Sequence, residues 1–154
     1  MAKKSAGILL YRYNNKELEC LLVHPGGPMH VRRDLGAWSI PKGEYDEGEV
    51  PLLAARREFE EETGYKLLGA DFMALTPVKQ KSGKWVHAWA VEGDFDTSTL
   101  VSNTFPLQWP PRSGKWQDVP EVDRAEWFSV HLAIEKIIPA QAALILELLQ
   151  KLGG

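Results

Sequence analysis

Three glutamates, Glu58, Glu61 and Glu62, carry the clearest chemical potential in the chain. In a helix they stand at i, i+3 and i+4, so their carboxylates converge on one patch. Three acids so placed repel one another. Arg57, four residues before Glu61, and Arg56, four residues before Glu60, can relieve part of that repulsion, though in the less favourable orientation for helical pairs. A divalent cation neutralises the cluster better. Magnesium prefers oxygen ligands, keeps several waters and is typically held by a few carboxylates together with substrate phosphates. Zinc fits poorly, because Cys20 is the single cysteine and no His-x-x-x-His or His-x-Glu pattern lies near the glutamates.

The element that must present these acids is a helix over Pro51–Thr63. Pro51 sits at the first turn, Ala54 and Ala55 lie inside, and Gly64 is placed to terminate it. Leu52, Ala55 and Phe59 recur at three- and four-residue spacing and are expected to face the core, with the acids largely elsewhere on the surface. Residues 44–62 hold eight acids against Arg56 and Arg57, a balance of −6 in a chain whose total is −3, so about +3 is left for the remainder. An acidic locus beside a mildly basic rest suits a cation and a polyanion together, although a solvated helix face has the same composition.

The other elements frame that helix. Residues 5–13 and 18–24 are β-prone runs joined by Asn14-Asn15-Lys16, which predicts a hairpin ended by Pro25-Gly26-Gly27-Pro28. Trp38-Ser39-Ile40 reads as a short strand closed by Pro41, with a loop beginning at Gly43. Residues 67–76 and 84–92 read as two further strands. Residues 94–121 are rich in Pro, Ser, Thr and Trp without clear periodicity, which predicts a long substrate-facing loop. A short strand at 127–130 and an amphipathic helix over 139–152, apolar at 144, 145, 148, 149 and 152, complete the chain.

Composition agrees with one globular domain over residues 1–154, with 44% hydrophobic and 25% charged residues. The longest apolar stretch, Ala142 to Leu146, falls far short of the ~20 residues that cross a bilayer. The apolar run after Ser5 is too short for a signal peptide, which argues against export, and the lone cysteine fits a reducing cytoplasm. Cys20 has apolar neighbours and is expected to be buried. His24, His30, His87 and His131 show no metal spacing and are expected to be structural or surface residues.

The order of residues is more specific than their chemistry. Gly43, five residues, Glu49, seven residues, then Arg57-Glu58-Phe59-Glu60-Glu61-Glu62-Thr63-Gly64-Tyr65 resembles the Nudix box, the signature of Nudix hydrolases, at every fixed position. The preceding Trp38-Ser39-Ile40-Pro41-Lys42-Gly43 is similar to the family's usual approach to the box. The resemblance implies an α/β/α sandwich around a mixed sheet and a hydrolase of nucleoside diphosphates linked to a further group. It implies Glu58, Glu61, Glu62 and the main-chain carbonyl of Gly43 as ligands of Mg²⁺, with Mn²⁺ a substitute, and Glu49 with Arg57 as an orienting ion pair. The metal would activate a water and stabilise charge on phosphoryl oxygens. Glu61 or Glu62 could serve as base. Glu121 is a second candidate, because in several Nudix hydrolases an acid just before the strand that here carries Trp127 reaches the metal.

Substrate selection is less sharply written. Trp85, Trp109 and Trp116 could stack on a nucleobase, an interaction of ~1 to 3 kcal/mol per base. Trp38, Trp89 and Trp127 are expected in the core. Lys42 and Lys84 are the best-placed lysines for phosphate oxygens, and Arg112 offers a guanidinium fork. The stretch Trp109-Pro110-Pro111-Arg112-Ser113-Gly114-Lys115 suits a loop over the pocket or an oligomer contact such as a homodimer. The resemblance is nearest to the diadenosine tetraphosphate and nucleoside triphosphate branch. Nucleotide sugars, ADP-ribose and the 5′ triphosphate end of RNA are alternatives, and the modest net charge argues against long nucleic acids as partners. A nucleotide-binding domain without catalysis is disfavoured by the complete set of acids. A calcium-binding acidic helix leaves Gly43, Glu49 and Gly64 unexplained.

Overall fold

The computed structural model describes residues 4–68 and 71–153. In chain order the strands and helices are β1 (Lys4–Asn14), β2 (Glu17–Pro25), β3 (Lys42–Glu44), α1 (Pro51–Thr63), β4 (Met73–Ala74), β5 (Val78–Lys79), β6 (Trp85–Glu92), β7 (Thr104–Gln108), β8 (Trp116–Pro120), β9 (Val122–Ser129), α2 (Val130–Lys136) and α3 (Ala142–Lys151). Short 3₁₀ turns occupy Thr97–Thr99 and Pro139–Gln141.

The main sheet is mixed. Its order is β4-β6-β1-β2-β9, with β3 added to β1 and β5 to β6. β1 pairs antiparallel with β2 and β3 and parallel with β6. Such a central strand is covered on both faces, which is why Ile8-Leu9-Leu10 is continuously apolar. Alternation then sorts the side chains. Leu9, Cys20 and Leu22 point to one layer, where Leu144, Ile145 and Leu148 of α3 pack. Ile8, Leu10, Leu21 and Val23 point to the other, against Ala54, Ala55 and Phe59 of α1. The result is the expected α/β/α sandwich. Cys20 is fully buried, and burial pushes its thiol up to about 12, so it is a packing residue with no thiolate at neutral pH.

Several sequence expectations change. The strand expected at Trp38-Ser39-Ile40 is reduced to isolated bridges, Val23 to Ser39 and Trp38 to Ile137, while the strand proper is β3, where a loop was expected after Gly43. Of the strand expected over 67–76, the described residues form a strand at Met73–Ala74, followed by the Leu75 N–H donating to Ala88 O at 2.9 Å, and Gly69 and Ala70 lie outside the described residues. The long loop expected over 94–121 contains a separate hairpin of β7 and β8. Pro106 within β7 and Pro120 at the end of β8, with Pro110 and Pro111 in the turn between them, conceal the alternation that marks strands. α2 was missed altogether: Ser129 ends β9 and caps this short helix, its hydroxyl accepting from the Leu132 N–H at 3.4 Å. No helix among the described residues is long and apolar enough to cross a membrane.

Candidate active site

The helix that carries the acids has the bounds its sequence predicts. Pro51 opens α1, and Gly64 closes it in the left-handed region with φ 79°. The Gly64 N–H donates to Glu60 O at 2.7 Å. A Cβ at Gly64 would also stand 3.0 Å from Val101, whose N–H donates to Thr63 O, so both conformation and close approach require glycine there.

α1 leans on β3, and this contact decides where the acids go. Glu58 is 8% exposed and Glu62 7%, contrary to the expectation that the acids lie on the outer surface. They are one turn apart on the face that meets β3. A Cβ on Gly43 would fall 2.0 Å from Glu58 Oε1, so the glycine leaves a cradle in which the Glu58 carboxylate rests against the main chain. The Lys42 N–H donates to Glu62 Oε1 at 3.4 Å. Burial raises both acids above the usual carboxylate range, Glu62 to about 8, and nearby Glu121 adds to both shifts. The same burial lowers the Lys42 ammonium below its ordinary value, with Glu62 acting in the opposite direction.

Glu61 behaves differently from the expected convergent trio. Its side chain is 40% exposed, and Arg57 Nη1 binds its Oε1 at 3.4 Å while holding Glu58 Oε2 at 2.8 Å. The guanidinium thus bridges the buried and the exposed carboxylate, and no three His, Cys, Asp or Glu side chains among the described residues form a group that could hold a metal ion. Arg57 Nη2 also donates to both Glu49 oxygens, at 3.1 and 3.3 Å. Glu49 in turn accepts from the Asp46 N–H at 3.2 Å, which ties the loop before α1 to the helix. Arg56 does not relieve Glu60; it donates to Leu67 O at 2.9 Å and covers the Phe72 ring.

Glu62, Lys42 and Glu121 line one cavity of about 190 Å³ with Val23, Ser39, Ile40 and Ile138 among its walls. Glu121 lies in the one-residue corner between β8 and β9, so the sheet carries it to α1 from 59 positions downstream of Glu62. The other sequence candidates are not in that lining. Lys84 pairs with Glu44 at 2.9 Å, close enough to Lys42 for its charge to lower the Lys42 ammonium further. Trp85 is 38% exposed with Lys79 Nζ 6.0 Å from its ring. Arg112 is exposed at the tip of the β7–β8 hairpin in a left-handed conformation, φ 60°. Trp38 is buried as expected; Trp89 and Trp127 are only partly buried against the core. His24 is buried between Asp123 Oδ1 at 2.8 Å and Arg33 O at 2.6 Å, a structural role.

Gln141 is a further residue of the site's support, one that no sequence motif marks. It is fully buried, and its Oε1 accepts from Ile40 N–H at 3.1 Å while Nε2 donates to Ser39 Oγ at 3.1 Å and Gln80 Oε1 at 2.9 Å. It therefore fixes the segment that leads into Lys42. The one signal available was an amide interrupting the apolar run from Ile137.

Comparison with known proteins settles the family. The NUDIX domain profile matches residues 1–148. This chain belongs to the Nudix family. Among similar proteins, the asymmetrical bis(5′-nucleosyl)-tetraphosphatase of Rattus norvegicus is 31% identical over 114 residues, covering 66% of this chain and 74% of that protein. An 8-oxo-(d)GTP phosphatase of Mycolicibacterium smegmatis is 38% identical over 78 residues, 48% of this chain, and an RNA pyrophosphohydrolase of Erythrobacter litoralis is 49% identical over 45 residues, 29% of this chain. This Nudix chain spans about a quarter of the length of those two, 23% and 27%. In fold it resembles the C. elegans Ap4A hydrolase in a binary complex, with TM-score 0.68, 24% identity and 99% of each chain covered. It also resembles the NUDIX domain of Shewanella oneidensis NrtR complexed with ADP ribose, with TM-score 0.66, 15% identity, and 99% of this chain and 89% of that one covered.

Proposed function

We propose that this Nudix protein is a divalent-cation-dependent hydrolase that cleaves a diphosphate linkage, with a dinucleoside polyphosphate or nucleoside triphosphate as substrate. The observation that carries the reading is the meeting of buried Glu62 with half-buried Lys42 and Glu121 in one cavity, beside Glu58 in its Gly43 cradle. The donor set is all oxygen, which suits a hard cation such as Mg²⁺, with Mn²⁺ as substitute. Glu58, Glu62 and the Gly43 carbonyl would hold it, with Glu61 joining from the rim. When bound, the cation supplies Lewis acidity toward phosphoryl oxygens.

The chain's own residues do the rest. Lys42 offsets negative charge on the phosphate that enters the cavity, and its half-buried position strengthens that effect. Glu121 accepts the proton of the attacking water as its oxygen bonds to phosphorus and the bond to the departing phosphate breaks. Glu62 or Glu61 is the alternative base. Arg57 and Glu49 orient the loop before α1 against the helix. Lys84, Trp85 and Arg112 contact the parts of the substrate that extend beyond the cavity. The identity to the rat tetraphosphatase supports the polyphosphate assignment over nucleotide sugars or ADP-ribose.

A hydrolysis screen with Mg²⁺ over dinucleoside polyphosphates, nucleoside triphosphates, nucleotide sugars, ADP-ribose and 5′-triphosphate RNA tests the proposal. Turnover is expected to be fastest on the first two classes, and analysis of the released phosphates locates the attacked phosphorus. Nucleotide binding without cleavage of any substrate would favour a non-catalytic domain instead.

A further inference from the structure

Glu121 sits in a corner of the chain that has no secondary structure of its own to hold it, yet its backbone is bonded from two sides. Its N–H donates to Asn103 O at 2.9 Å, and its carbonyl accepts from the Gly26 N–H at 2.9 Å. The next residue is held as well: the Val122 N–H donates to Ser102 Oγ at 3.0 Å. Gly26 belongs to this arrangement, because a Cβ there would stand 2.0 Å from Pro120 O.

The segment that supplies two of these bonds is itself fastened to the end of α1. Val101 N–H donates to Thr63 O at 3.0 Å, and Asn103 N–H donates to Glu61 O at 2.8 Å. These carbonyls belong to the last turn of the helix, where main-chain acceptors have no partner within the helix. Residues 101–103 therefore form a strap with α1 on one side and the Glu121 corner on the other. The distance between Glu121 and the box glutamates is set by main-chain bonds through three residues rather than by any contact between the acids themselves.

We propose that Ser102 is a positioning residue, the side chain through which this strap holds Glu121 at working distance from Glu58 and Glu62. The inference rests on the hydrolase reading and on Glu121 acting as base. Its hydroxyl accepts from the Val122 N–H and donates to Asn103 O at 2.9 Å, the carbonyl that also receives the Glu121 N–H, so it can be removed while the main-chain bonds at Asn103 remain. A substitution of Ser102 then loosens the base at its neighbour Val122, which also lines the cavity, without touching the glutamates of α1.

The test is a double-mutant cycle in hydrolysis of whichever substrate the parent turns over best. Ser102→Ala is expected to lower kcat about fivefold, the equivalent of one ordinary hydrogen bond, with KM unchanged. Ser102→Thr, which keeps the hydroxyl, is expected to restore most of the rate. In the Glu121→Gln background, Ser102→Ala is expected to have no further effect, because the group it positions is already disabled. A full additional loss in that background, a change in KM alone, or parental turnover of Glu121→Gln would each overturn the inference. A parent protein that hydrolyses none of the substrates would instead remove the hydrolase reading on which it rests. Thermal unfolding of all five proteins separates a loosened corner from a loosened fold: a fall in melting temperature of Ser102→Ala that Ser102→Thr does not reverse, accompanying the loss of rate, would mark a merely structural role.

Discussion

The β3–α1 unit and the β7–β8 hairpin differ in how firmly their neighbours determine them. In the first, Glu58 rests in a cradle only glycine leaves open, Arg57 touches three carboxylates, and Gly64 is fixed by conformation and by Val101 together. In the second, Pro110 to Asp118 are exposed, and the two strands pair with each other and form their own sheet. Under the proposed function, the difference separates two tasks. Bond cleavage requires charges held to within fractions of an ångström, and the sheet and helix supply that. Recognition of the rest of a substrate tolerates a surface that varies, and an exposed hairpin can change residues at little cost in stability.

Four substitutions break or sharpen this contrast. Glu62→Gln, in the determined unit, is expected to lower kcat by at least about 100-fold, beyond what the loss of a supporting residue costs a metal site. Steady-state hydrolysis at saturating Mg²⁺ measures it. Gly43→Ala places a methyl group where Glu58 Oε1 stands, so the carboxylate must leave its cradle; a loss of about 10- to 100-fold is expected, together with weaker metal binding. Arg57→Lys keeps the charge but replaces the fork that reaches Glu49, Glu58 and Glu61 at once. About tenfold in kcat is expected, with a small change in melting temperature because Arg57 and its partners Glu49 and Glu61 are substantially exposed.

The hairpin supplies the smallest effect. Arg112→Ala should raise KM at most about fivefold, the range of an exposed ion pair, and leave kcat and melting temperature near the parent's. A larger effect on kcat than that of Arg57→Lys would reverse the assignment of the two regions, and would mean that the tip closes over the cavity during catalysis.

How much of this was legible depended on how local each signal is. The bounds of α1 follow from Pro51 and Gly64 acting on their own neighbours, so the reading matched the structure. The burial of Glu58 and Glu62 depends on β3 pairing with β1, a contact between Gly43 and Ala6 that no helical periodicity encodes. Leu52, Ala55 and Phe59 marked one face of α1 correctly, yet the β3 contact buries a further part of the helix that charged residues had seemed to assign to solvent. Glu121 could be suspected from its place before Trp127, but its partners Asn103 and Gly26 are joined to it by main-chain bonds, which leave no trace in residue type. The β7–β8 hairpin was hidden for another reason: proline occupies positions where alternation would otherwise show.

Under the proposed function, Glu58 and Glu62, pressed against β3, capture a divalent cation where a polyphosphate arrives. Manganese titration followed by electron paramagnetic resonance, on the parent and on a Glu58→Gln/Glu62→Gln protein with unchanged circular dichroism, tests it most directly. Capture by these two acids gives saturable Mn²⁺ binding in the parent and at least about a tenfold loss of affinity in the variant. Equal affinity in the two proteins would contradict it.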